Sequence, residues 1–221
     1  MEIDVIILSY AKNDEIVVMN NNCIDSINNS TRDYKFNIFL IETSTHEFVY
    51  PQENVILIQP KIEFGYNKFL NIGLKHCKNE WILISNNDII YKTDFIKYMI
   101  EAHNTDNNLL SMCPMDDEWD YQKCYNRNTP IHYGYSVQHQ LIGWSIFLNK
   151  KVIDIIGLFD ENYSFWYQDN DYANTLIKYG IKHALITNSK IKHLGSRSNH
   201  LIDDWNKMVT TSKEYYVNKW K

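Results

Sequence analysis

Four short, almost continuous apolar runs punctuate the first part of the chain: Val5-Ile6-Ile7-Leu8, Phe36-Asn37-Ile38-Phe39-Leu40-Ile41, Val55-Ile56-Leu57-Ile58 and Trp81-Ile82-Leu83-Ile84. Runs this short and this apolar read as strands buried on both faces. Between them the apolar residues recur at helical spacing. Ile16, Met19, Cys23 and Ile27 outline one helix, and Phe69, Gly73, Leu74 and Cys77 a second. Phe95, Met99 and Ala102 outline a third, ahead of a strand over Leu109 to Cys113. Repeated strand–helix units predict an α/β fold: a Rossmann-like, mostly parallel central sheet with helices on both faces.

The alternation breaks from Pro114 to about Gln140, where Trp119, Tyr121, Tyr125, Tyr133 and Tyr135 follow no period. An irregular segment of that length inside a compact domain is usually functional or mobile. Strand character returns over Leu141 to Leu148. Lys150 to Ile156 reads as a short helix ended by Gly157, and Tyr172, Leu176, Ile177 and Tyr179 as a helix ended by Gly180. A strand over Ile181 to Thr187 follows. The length of 221 residues suits one core. The expected organisation is one domain over 1–200 and a helical tail over 201–221, packed on that domain or extending from it. The tail carries Trp205, Met208, Tyr215, Tyr216 and Trp220, an aromatic set that also suits oligomer formation.

Composition narrows the function classes. A net charge of -5 argues against nucleic-acid binding driven by phosphate neutralisation. A local basic group at Lys190, Lys192 and Arg197 suits a diphosphate equally well. The abundant asparagines, Asn20, Asn21, Asn22, Asn28 and Asn29 among them, read as compositional drift. The four cysteines show no metal-ligand or CxxC spacing. Cys23 and Cys77 fall on apolar helix faces, while spacing leaves a Cys113–Cys124 bridge open. No run is long enough to span a bilayer and the start is not signal-like, so a cytoplasmic location is expected.

Three segments carry candidate chemistry. Asp88 lies just beyond the Trp81 to Ile84 strand, where an open α/β sheet holds its ligand. Its carboxylate there suits a hard cation that also grips phosphate oxygens, with Asn86 and Asn87 adding polar contacts; an Asx-turn or helix cap would use the same residue. Asp169 and Asp171 follow the aromatic run Phe165-Trp166-Tyr167 and suit a helix start, where one can accept a proton while the other orients the helix. Trp166 offers a wall for a sugar face, or a core residue. His193 follows a further strand and can ligate a metal or sit half-buried; His183, His132, His139 and His200 show no comparable pattern. Glu42 ends the second strand, placed for a base or ribose contact or as a turn acceptor. An oxygen ligand, a carboxylate base and a histidine together fit metal-assisted group transfer better than simple binding.

In order and spacing these segments resemble the family 2 glycosyltransferases of GT-A fold over roughly residues 3 to 200. Ile6-Ile7-Leu8-Ser9-Tyr10 resembles the opening strand and nucleotide loop. Glu42-Thr43-Ser44-Thr45 resembles the acidic base-recognition motif, with Glu for the usual Asp. Phe64-Gly65-Tyr66-Asn67 through Asn71-Ile72-Gly73 resembles the glycine and Asn-x-Gly segment. Ser85-Asn86-Asn87-Asp88 resembles the Asn-Asn-Asp form of the DxD motif found in rhamnosyltransferase-like members. Gly143-Trp144-Ser145, Gly157-Leu158-Phe159-Asp160-Glu161 and Tyr167-Gln168-Asp169-Asn170-Asp171 resemble the progression from Gly-x-Phe-Asp-Glu to Glu-Asp-x-Asp, with Gln168 replacing Glu. His193-Leu194-Gly195-Ser196 resembles the segment that completes the metal and diphosphate site.

The resemblance implies an inverting transferase moving a sugar from a nucleoside diphosphate, UDP as the first expectation, to an acceptor hydroxyl. By the same match Asp88 and His193 hold Mn²⁺ or Mg²⁺ and Asp169 is the base. Ser9, Tyr10, Glu42, Asn71, Asn86 and Asn87 contact the donor, while Gly143, Trp144, Trp166 and Asp171 lie toward the acceptor. That acceptor is a glycan, a lipid-linked sugar or a small molecule. The Pro114 to Gln140 segment would close over the donor. Two alternatives use the same residues: a degenerate sugar-binding protein, to which Gln168 lends weight, and a nucleotidyltransferase releasing pyrophosphate.

Overall fold

A computed structural model describes residues 1–45, 48–163, 165–195 and 205–221. Ser196, Arg197 and His200, and the boundary expected at 200/201, lie outside the described residues. The chain runs β1 (Glu2–Ser9), α1 (Asp14–Asn28), β2 (Lys35–Glu42), β3 (Val55–Ile58), α2 (Tyr66–His76), β4 (Trp81–Asn86), β5 (Ile89–Tyr91) and α3 (Phe95–Thr105). It continues through β6 (Leu109–Asp116), β7 (Ile131–Tyr133), β8 (Ser145–Asn149), α4 (Lys150–Ile156), α5 (Gln168–Tyr179), β9 (Lys182–His193) and α6 (Trp205–Lys219).

Among the described residues the strands form one nine-stranded sheet in the order β3-β2-β1-β4-β8-β6-β9-β5, with β7 also pairing with β9. From β3 to β4 every pairing is parallel. Beyond β4 the sheet is mixed, because β8 enters antiparallel to both β4 and β6 while β6 and β9 are parallel. Strand direction follows from connections, not from local pattern, so the periodicity could not supply it. Two of the helices can be placed on opposite faces. A Cβ on Gly73 of α2 would meet Ile6 Cγ2 at 2.6 Å, so glycine is what lets α2 settle on that face. Ser85, level with Ile7 and so on the other face, has its hydroxyl 3.9 Å from Cys23 Sγ of α1.

Local chemistry sets the helix ends. Asn13 Oδ1 accepts from Ile16 N–H at 3.1 Å, and Asp14 and Glu15 occupy the first turn of α1. Helix α4 stops at Gly157, and α5 at Gly180, whose φ of 65° is left-handed. Two elements extend beyond expectation. Strand β6 reaches Asp116 and β9 runs unbroken to His193, through the polar stretch Thr187 to Lys192 that the hydrophobic pattern did not count as strand. The Pro114 to Gln140 segment is anchored: Gln122 is fully buried, accepts from Asp116 N–H at 2.8 Å and donates to the His139 carbonyl at 2.7 Å. No helix among the described residues is long and apolar enough to cross a membrane. All four cysteines are free thiols.

Candidate active site

The site begins where β4 and β9 end. Ile89 pairs with His193, the Leu194 N–H donates to the Asp88 carbonyl at 2.8 Å, and the His193 N–H donates to Asp116 Oδ2 at 3.1 Å. This pairing brings Asp88 Oδ2 within 3.2 Å of His193 Nε2, with side-chain exposures of only 5% and 10%. Asp88 Oδ1 and His193 Nε2 are nevertheless buried without a hydrogen-bond partner. Burying such groups unpaired costs on the order of 1–3 kcal/mol each. A carboxylate oxygen and an imidazole nitrogen left open side by side fit a divalent cation. No cluster of three or more His, Cys, Asp or Glu suited to a metal occurs among the described residues. An ion held by these two groups would therefore complete its shell from substrate oxygens and water, as Mg²⁺ commonly does.

The second pole is Asp169, in the first turn of α5. Burial pushes its carboxyl pKa up, only partly offset by the Asn170 N–H that donates to Oδ1 at 2.9 Å. It is packed against Gly143, where a Cβ would lie 3.0 Å from Asp169 Cβ and 3.2 Å from its Oδ2. The next residue, Trp144, stacks on His193 with ring centroids 4.8 Å apart and planes 11° off parallel. One dipeptide thus touches Asp169 with its first residue and the Asp88–His193 pair, through His193, with its second. Its Trp144 carbonyl accepts from Asn86 N–H at 2.9 Å, pinning the dipeptide to the end of β4. Trp119 meets Trp144 edge-on at 5.1 Å, and the buried Trp144 Nε1 has no hydrogen-bond partner.

Tyr66 joins the poles from the other side. Its hydroxyl donates to Asn86 Oδ1 at 3.0 Å. Burial raises its pKa most, followed by the fields of Asp169 and Asp88, so both carboxylates act on one phenol. Trp166, 45% exposed, and Tyr167 lead into α5 with φ of 65° and 62°. Two successive non-glycine residues in the left-handed region cost roughly 1 kcal/mol each, a strain often found beside functional groups.

At the end of β2, Glu42 is the turn acceptor its position allowed, with one oxygen to spare. Oε1 accepts from the N–H groups of Ala11 at 3.0 Å and Ser44 at 2.7 Å, while Oε2 is buried and without a partner. Tyr10 is half-buried with the Lys12 ammonium 4.5 Å from its ring centroid.

Several expected contacts are engaged within the chain instead. Ser9 Oγ and the Tyr50 hydroxyl each accept from Asn20 Nδ2 at 2.7 Å, and Asn87 Nδ2 donates to Asn20 Oδ1 at 2.7 Å. Asn71 Nδ2 donates to the Phe159 carbonyl and Glu161 Oε1 at 2.8 and 2.9 Å, and its Oδ1 accepts from Phe159 N–H at 3.0 Å. Asp171 Oδ1 accepts from Tyr163, Trp220 and Lys219. Lys190 and Lys192 of the expected basic group pair with Asp117 and Glu118 at 2.7 and 2.9 Å. The sequence reading passed over Asn20, Tyr66 and Asp116. Asn20 carried a usable signal: it lies four residues after Ile16 and three before Cys23, on the apolar stripe of α1, where a polar side chain needs partners.

The profile of glycosyl transferase family 2 matches residues 4–153, more than half of the 221-residue chain. No curated protein sequence matches the chain. Among solved structures, the fold is similar to GalNAc-T7 crystallised with UDP, GalNAc and Mn²⁺, at 12% identity and TM-score 0.69, over 87% of this chain and 44% of that one. It is similar to the mannosyltransferase PcManGT from Pyrobaculum calidifontis in complex with GDP-Man and Mn²⁺, at 13% identity and TM-score 0.65, over 90% of this chain and 59% of that one. It is also similar to S. aureus TarS 1-349, at 13% identity and TM-score 0.59, over 86% of this chain and 59% of that one. The chain thus spans about half the length of these proteins. By its GT-A-like sheet and the profile match over more than half its length, the chain belongs to glycosyl transferase family 2.

Proposed function

We propose that the protein transfers a sugar from a nucleoside diphosphate sugar to an acceptor hydroxyl in one displacement, inverting the anomeric carbon. The observation that carries this reading is the Gly143–Trp144 dipeptide, which packs on Asp169 with one residue and on His193 beside Asp88 with the next. A base and a diphosphate-binding pole so close together suit a reaction that deprotonates on one side of the anomeric carbon and expels a leaving group on the other.

Asp88 Oδ1 and His193 Nε2 would hold Mn²⁺ or Mg²⁺ together with donor phosphate oxygens. A bound cation supplies Lewis-acid stabilisation of the charge that develops on the departing diphosphate. Asp169 takes the acceptor O–H proton as that oxygen bonds to the anomeric carbon. The bond from that carbon to the diphosphate oxygen breaks, and its electron pair leaves with the nucleoside diphosphate. Burial of Asp169 raises its affinity for that proton. Glu42 Oε2, buried without a partner, would accept from a nucleobase N–H, with uracil as the first choice, and Asn86, held by Tyr66, would meet the ribose or phosphates. Trp144 and Trp166 offer surfaces to a glycan, lipid-linked or small-molecule acceptor.

The test is release of nucleoside diphosphate from UDP-, GDP- and dTDP-sugars with Mn²⁺ or Mg²⁺, with and without acceptors. Release from one donor class, abolished in Asp88→Ala and sharply reduced in Asp169→Ala, supports the mechanism and names the donor. Metal-dependent binding without release from any donor, acceptors included, favours a degenerate binder; pyrophosphate release from a nucleoside triphosphate favours nucleotidyl transfer.

A further inference from the structure

Asp169 is held by little of its own. Its carboxylate accepts from Asn170 N–H next to it, and the neighbouring Gln168 Oε1 has no partner. Its position therefore depends on the backbone of the first turn of α5, which is entered through two left-handed residues, Trp166 and Tyr167. A turn built on such residues keeps its shape only when its surroundings over-determine it.

Helix α6 contributes directly to those surroundings. The Tyr167 ring lies 5.3 Å from the Tyr216 ring, and the Tyr216 hydroxyl accepts from Asn174 Nδ2 of α5 at 2.8 Å. Asp171, whose N–H closes the first turn onto the Tyr167 carbonyl at 2.9 Å, is gripped from the end of α6. Trp220 Nε1 donates to Asp171 Oδ1 at 2.7 Å and Lys219 Nζ lies 2.8 Å from the same oxygen. Lys219 also reaches Asp160 Oδ2 at 2.7 Å, where the Tyr215 hydroxyl donates at 2.9 Å. The Asp160 carbonyl in turn accepts from Asn67 of α2 at 2.8 Å. Burial opposes the Lys219 charge, but the two carboxylates outweigh it and hold its pKa above the ordinary value.

Among the described side chains of α6 Ser212 is the one fully buried, with Met208, Val209, Tyr215 and Tyr216 half-buried along the same face. The attachment is directional, through hydrogen bonds and ion pairs converging on Asp160 and Asp171. We infer that α6, together with Trp220 beyond its end, is a positioning element of the active site: through Tyr167 and Asp171 it fixes the turn that carries Asp169. This rests on the reading of Asp169 as the base.

The test uses the full chain with Trp220→Phe, Lys219→Met, their double and Lys219→Arg. Amide hydrogen exchange is followed over residues 165–172 and, as reference, over β1 to α2. The double variant is expected to exchange at least about tenfold faster at 165–172 with the reference unchanged, and Lys219→Arg to stay near wild type. With UDP-glucose, UDP-N-acetylglucosamine, GDP-mannose and dTDP-rhamnose plus Mn²⁺, kcat of the double variant is expected to fall about tenfold while donor KM stays within twofold. Its acid limb of kcat should also move to lower pH as Asp169 gains water; Tyr66, Cys113 and Asp88 are the other titratable groups acting there or through Tyr66. Exchange unchanged at 165–172, or quickened equally throughout the chain, overturns the proposal. Failure of the base assignment looks different: Asp169→Asn would keep wild-type turnover while the exchange result stands.

Discussion

Gly143→Ala is the most direct probe of the packing between the two poles. Gly143 does not sit in a left-handed conformation, so alanine meets a steric and not a backbone obstacle. Its Cβ would stand 3.0 Å from Asp169 Cβ and 3.2 Å from Asp169 Oδ2. Ordinary contact begins at about 3.4 Å, so the carboxylate must retreat by a few tenths of an ångström. A misplacement of about 1 Å costs on the order of a hundredfold in rate. The expected loss in kcat is therefore about 3- to 10-fold, or roughly 0.7–1.4 kcal/mol in the barrier. Overpacking of this kind costs about 1 kcal/mol in stability, lowering Tm by roughly 2–4 °C for a chain of this size. The assay is nucleoside diphosphate release at saturating donor and acceptor, with donor and Mn²⁺ affinity measured by calorimetry. Affinity should hold within about twofold, because Asp88 and Glu42 are untouched. Wild-type kcat would refute the reasoning, and so would a loss of donor affinity as large as the loss in rate.

Asp169→Asn should be inactive yet more stable than wild type at pH 7. Burial raises the folded-state pKa of Asp169, so its favourable contribution is present in acid and lost as pH rises through that value; the gain on substitution should vanish toward low pH, and a less stable Asp169→Asn at pH 7 would contradict this. His183 is fully buried, hydrogen-bonded to Ser111 and the Gln140 carbonyl, and its pKa is lowered from 6.5 to about 4. Its contribution to stability is present above pH 6.5 and lost as pH falls toward about 4, so between pH 7 and 4.5 wild type should lose about 2–3 kcal/mol more than His183→Gln in urea unfolding. Equal losses would show that His183 does not carry this acid sensitivity. Tyr66→Phe removes the hydrogen bond to Asn86 Oδ1, a net effect of about 1 kcal/mol, so donor KM should rise about fivefold with a smaller change in kcat. Unchanged donor kinetics would remove Asn86 from the donor contacts.

The alternation of strands and helices was legible because burial writes a period into neighbouring residues. It placed Asp88 beyond β4 and Asp169 at the start of α5, and the glycines marked the ends of α4 and α5. Strands β5 and β7, of three residues each, were too short to carry a period, and the polar second half of β9 hid its length. The direction of β8 and the adjacency of Asp88 to His193 arise from pairings between segments far apart in the chain. The same holds for the division of labour among polar side chains. Residue type alone made Ser9, Asn71, Asn87 and Asp171 as eligible for ligand contacts as Glu42, Asp88 and His193. What separates them is whether a distant donor or acceptor reaches them first: Asn20 for Ser9 and Asn87, Phe159 and Glu161 for Asn71, Lys219 and Trp220 for Asp171. Glu42 Oε2, Asp88 Oδ1 and His193 Nε2 are left open. Whether a buried polar atom finds a partner is a property of the folded chain, because the atoms that would satisfy it come from elsewhere in the sequence.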